Sequence, residues 1–71
     1  MKANPILMQK KYARVVALFA EREGMPLDDA LSFFYGSRTY ELMSEGVSDM
    51  HCRSDAYLAE ELSLELRERG A

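Results

Sequence analysis

Met8, Tyr12, Val15, Val16 and Phe19 recur at i, i+4 and i+7, which places them on one face of a helix, and Lys10, Arg14 and Glu21 fall opposite. Asn4-Pro5 supplies the start: Asn caps backbone N–H groups and Pro fits the first helical position, where no donor is needed. Gly24 supplies the stop. A first helix over about 5–23 follows. Pro26 then restarts the chain as a first helical residue, with Asp28 and Asp29 in the turn where the helix dipole favours anions. Leu27, Ala30, Leu31, Phe33 and Phe34 make a short, strongly apolar helix over 26–35. Gly36 breaks it, Ser37 caps a third helix over 38–45 with Tyr40, Leu42 and Met43 as its apolar contacts, and Gly46 ends that one.

Residues 47–53 read as a loop or a single helical turn. Ser54-Asp55 caps a last helix over 55–68, ahead of Gly70, with Leu58, Leu62 and Leu66 as its core stripe and Ala59 beside it. Tyr57 and Leu64 point to the other side of that helix. The pattern predicts an all-α fold: one small domain, 1–71, of three to four helices packed around Phe19, Leu31, Phe34, Tyr40, Leu58 and Leu62.

Composition narrows what such a domain can do. With 71 residues the core is marginal, because cores of this size seldom supply more than about 3–5 kcal/mol without a staple or a partner. The single Cys excludes an internal disulfide framework and fits a reducing compartment. No apolar run approaches the ~20 residues that cross a bilayer, and the first residues lack a signal-peptide pattern, so the expectation is a cytoplasmic protein with no membrane association. The net charge of −3 is uneven: residues 1–20 carry Lys2, Lys10, Lys11 and Arg14 and no acid, while all twelve Asp and Glu lie beyond them. An acidic balance argues against general phosphate-backbone binding, so nucleic acid is not the expected partner. The cations of the first helix are expected to pair with the acidic C-terminal half. A small nucleic-acid-binding regulator using Lys10, Lys11 and Arg14 is the alternative.

Candidate chemistry is sparse. Asp49, His51 and Cys52 are the metal-ligand or nucleophile types that stand close together. A structural zinc site wants four ligands, and one Cys with one His falls short, so no metal is expected. Adjacent Cys and His seldom meet as a nucleophile and its base, and Cys52 is expected to be a small buried apolar residue. Glu60, Glu61, Glu65 and Glu68, with Arg67 and Arg69 among them, read as a solvated helix face with i,i+4 pairing. The four glycines stand isolated at helix ends and form no phosphate loop. The expectation is a non-enzymatic chain without a cofactor.

The segments Ala30-Leu31-Ser32-Phe33-Phe34-Tyr35-Gly36-Ser37, Thr39-Tyr40-Glu41-Leu42-Met43, Glu45-Gly46-Val47-Ser48-Asp49-Met50-His51-Cys52 and 54–62 resemble a family of small bacterial proteins of unknown function common in gut Firmicutes. The Ser48-Asp49-Met50-His51-Cys52 loop is the most specific of them, and its role is unknown. Pro26 departs from the family, whose members tend to carry a capping Ser there. Members are often encoded beside a larger protein similar to ADP-ribosyltransferases, so the resemblance implies a toxin–antitoxin-like or accessory role. Residues and resemblance converge on a module that binds another protein or itself, with Tyr57 and Leu64 as the expected contact.

Overall fold

The computed structural model describes residues 5–46 and 52–70, which form four helices: α1, Pro5–Glu23; α2, Leu27–Tyr35; α3, Arg38–Glu45; and α4, Asp55–Gly70. It is a small all-α domain, elongated at 36 × 20 × 18 Å. α1 and α4 share the most extensive contact, α2 lies on α1, and α3 bridges α2 and α4.

α1 ends at the glycine. Gly24 sits at φ 64°, and the Met25 N–H donates to the Ala20 carbonyl at 3.0 Å while the Gly24 N–H reaches Glu21 at 3.4 Å. That pair of bonds is the Schellman arrangement, which satisfies carbonyls a helix end otherwise leaves open. It turns the chain sharply and packs Met25 against the core.

Pro26 is the N-cap of α2 rather than its first helical residue. At φ −60° and ψ 148° it is extended, and its carbonyl already accepts the Ala30 N–H at 3.1 Å. A proline has no side-chain oxygen to cap with, so α2 begins without a side-chain cap and carries Asp28 and Asp29 in its first turn. Gly36 separates α2 from α3 at φ −98°, so its freedom to adopt positive φ is unused there. α4 runs on to Gly70, beyond the expected end at Glu68. Arg69 explains the extension: its guanidinium donates to the Gly36 carbonyl at 3.0 Å and lies 5.2 Å from the Phe33 ring centroid, pinning the last turn to the α2–α3 junction.

The core joins Val15, Val16, Phe19 and Ala20 of α1 to Ala30 and Phe34 of α2, Met43 of α3, and Leu58, Ala59 and Leu62 of α4. Phe19, Phe34, Leu58 and Leu62 are fully buried as the periodicity predicts, and Tyr40 packs partly buried against them. Leu31 does not: it is 40% exposed. In a nine-residue helix covered by α1 and α3, the Ala30–Phe33–Phe34 side faces inward and Leu31 falls beyond its edge. At one end of the core the rings of Tyr12, Phe34, Tyr35 and Tyr40 lie with centroids 5.0–5.5 Å apart, tilted or edge-on, as aromatic quadrupoles prefer. Burial first, then the neighbouring Tyr40 and Tyr35, push the Tyr12 phenol above its ordinary value.

Candidate interaction surface

α4 presents chemistry on two sides. Its inner side buries Leu58, Ala59, Leu62 and Ser63 and half-buries Leu66. Tyr57 and Leu64, i and i+7, stand on the outer side at 43% and 45% exposure. Glu61, Leu64 and Glu68 fall close together around that outer side at about 100° per residue, so the two apolar side chains sit among carboxylates. The Arg53 guanidinium lies 5.3 Å from the Tyr57 ring centroid, and the Ser54 hydroxyl accepts the Tyr57 N–H at 3.0 Å. This end of the stripe is therefore held in place by its own helix start.

α2 carries a second exposed stripe that the sequence reading did not single out. Leu27, Leu31 and Tyr35, at i, i+4 and i+8, are 57%, 40% and 52% exposed and run the full length of the helix. The i, i+4, i+8 spacing is visible in the sequence, but it fits a buried face as well as an exposed one. Ile6 and Leu7 are exposed near the start of α1.

Glu65 corrects the reading of the α4 carboxylates as one solvated face. It is 8% exposed, and its carboxylate accepts the Arg38 N–H at 2.9 Å, the Thr39 N–H at 2.9 Å and the Thr39 hydroxyl at 2.6 Å. The Ser37 hydroxyl accepts the Tyr40 N–H at 3.0 Å, and the Ser37 carbonyl accepts the Glu41 N–H at 3.3 Å. The Ser37 N–H donates to the Phe34 carbonyl at 3.0 Å, so the four N–H groups from Ser37 to Tyr40 that α3 itself leaves open are all satisfied, two of them by a residue 26 or 27 positions away. Burial raises the Glu65 pKa, but the bonds from Thr39 and the Arg38 N–H, with the Arg69 charge, outweigh it and hold the carboxyl below an ordinary glutamate.

The α1 cations pair with α4 as the charge distribution predicts. Asp55 takes Lys11 at 2.7 Å and Arg14 at 3.0 Å, and Glu60 takes Arg22 at 3.1 Å. The Lys11 hydrogen bond, against a smaller opposing effect of burial and with help from Arg14, lowers the Asp55 pKa. Two of the three cations of the nucleic-acid alternative, Lys11 and Arg14, are therefore already partnered by an acid.

Of the motif loop, Ser48, Asp49, Met50 and His51 lie outside the described residues. Cys52 is exposed rather than buried, because it precedes α4 and does not reach the core. Among the described residues no three His, Cys, Asp or Glu side chains group as a metal site, and no helix is long and apolar enough to cross a membrane. Compared with protein-family models, curated proteins and solved structures, the chain matches none.

Proposed function

We propose that this chain works by contact, as a non-enzymatic protein-interaction module that needs no cofactor. The observation that carries the reading is the Tyr57–Leu64 stripe: two large apolar side chains held outward on α4 among Glu61 and Glu68, in a domain whose inner faces are already packed. Tyrosine is enriched among the residues that anchor interfaces, and the rim around such anchors is polar. Carboxylate flanks favour a cationic amphipathic segment as the occupant. The family resemblance supports an antitoxin-like or accessory role in the bacterial cytoplasm, with an ADP-ribosyltransferase-like protein as the partner.

The test is affinity purification of the tagged chain from its native cells. One protein recovered in near-equal amount by the wild type, and lost by a Tyr57→Ser/Leu64→Ser variant of unchanged helical circular dichroism, supports the reading. Undiminished capture by that variant refutes the α4 face. The nucleic-acid alternative requires Lys10 to act with Lys11 and Arg14 released from Asp55. It predicts binding to DNA or RNA that falls steeply with salt, and a flat response removes it.

A further inference from the structure

We propose that two copies of this chain pair through α2, antiparallel about a two-fold axis passing near Leu31. This deepens the contact-module reading by naming an occupant for one face. It uses a different face from the α4 stripe, so either can fail alone.

The stripe has equal arms: Leu27 and Tyr35 each stand four residues from Leu31, and no charged side chain interrupts the row. An isologous interface needs such a patch, because each half must fit the other. Antiparallel pairing sets Leu27 against the Tyr35 of the second copy and Leu31 against its own counterpart.

Charge selects this direction. Asp28 and Asp29 lie at the N-terminal end of the stripe, and Arg38 lies just beyond its C-terminal end. None of the three side chains takes part in an ion pair among the described residues. Antiparallel pairing brings each Asp28 toward the Tyr35 hydroxyl and the Arg38 guanidinium of the other copy. Parallel pairing would oppose the aspartates to each other, and like charges in contact disfavour it. The Tyr35 end is also preorganised: its ring packs edge-on against Tyr40 at 5.0 Å and Phe34 at 5.5 Å, so little freedom remains to be lost.

The patch is small. Three side chains, each about half exposed, contribute roughly 250–300 Å² per copy, given ~150–250 Å² for a whole aromatic side chain. Two copies then bury roughly 500–600 Å² through these residues, below the ~1,200–2,000 Å² of a standard stable interface. The pairing is therefore a weak, reversible one.

Sedimentation equilibrium of the full chain from ~10 µM to ~1 mM reads this directly. The expected result is a mass that rises with concentration toward twice the monomer. Leu31→Asp abolishes the rise, and Leu31→Asn, a milder change at the same exposed site, weakens it at least tenfold. Asp28→Arg and Arg38→Asp each weaken it, and the double reversal restores it. A monomer at every concentration overturns the proposal, as does a dimer indifferent to Leu31→Asp. A Leu31-dependent dimer that the double reversal fails to restore overturns the antiparallel register. A monomer that still captures a protein through Tyr57 and Leu64 would sink this pairing alone.

Discussion

Replacing Glu65 with Gln tests whether α3 is held by a distant carboxylate. The native group is 8% exposed and accepts three hydrogen bonds, two from backbone N–H groups that no residue of α3 itself satisfies. Gln keeps one oxygen, loses the charge and turns an N–H₂ toward donors. Hydrogen bonds to a charged group are worth about 1.5–3 kcal/mol each, and an orphaned buried donor costs about 1–3 kcal/mol. Losing one such bond and weakening the others comes to about 2 kcal/mol. For a domain of this length that lowers Tm by roughly 8–16 °C. Glu65→Ala orphans all three donors and removes most of the ~3–5 kcal/mol available to so small a core.

The pH dependence separates this cause from a packing defect. The folded Glu65 pKa lies below the ordinary 4.5, so its stabilisation is complete above pH 4.5 and is lost as pH falls through the folded value. Thermal or urea unfolding of wild type and Glu65→Gln should show the full gap at pH 7. The gap should narrow as pH drops below about 4.5, because the unfolded carboxylate takes up a proton before the folded one, and it should close further as the folded carboxyl becomes a neutral acid. A gap of the same size at pH 7 and at pH 3.5, or none at pH 7, refutes the argument.

Two further predictions concern local features. Ser63 is fully buried and its hydroxyl has no hydrogen-bond partner among the described residues, so Ser63→Ala should leave the unfolding free energy unchanged or raise it by up to about 1 kcal/mol; a loss of more than that in urea unfolding would reveal an unseen acceptor. Gly24 at φ 64° has nothing within 4 Å of an added Cβ, so Gly24→Ala should cost about 1 kcal/mol from backbone strain alone, with Gly24→Asn milder, and equal stability of both variants to wild type in urea would disprove a left-handed C-cap.

Short-range chemistry made most of this fold legible in the sequence. The bounds of α1 and α3, the glycine stops at Gly24 and Gly46, and the caps by Ser37 and Ser54 each depend on residues within a few positions. The periodic apolar face of α1 and the Leu58–Leu62 stripe follow from helix geometry: Val15, Val16, Phe19, Leu58 and Leu62 are buried, and Met8 and Tyr12 pack partly buried against them. The outward placement of Tyr57 and Leu64 follows from the same geometry.

Tertiary structure decided what spacing leaves open. Leu31 fits a buried face as well as Phe34 does until α1 and α3 are in place, and only their positions leave it at the surface. Glu65 stands i+7 from Leu58 and i+3 from Leu62, on the inward stripe of α4, whereas Glu60, Glu61 and Glu68 lie off it, yet nothing local supplies the donors that a buried carboxylate needs. It became a buried cap because α3 begins beside α4 and its first N–H groups need an acceptor. Arg69 likewise carried α4 through Gly70 by reaching the Gly36 carbonyl, a contact 33 residues away. Periodicity determines which side of a helix a residue occupies, and only the packing of the other helices determines whether that side is covered.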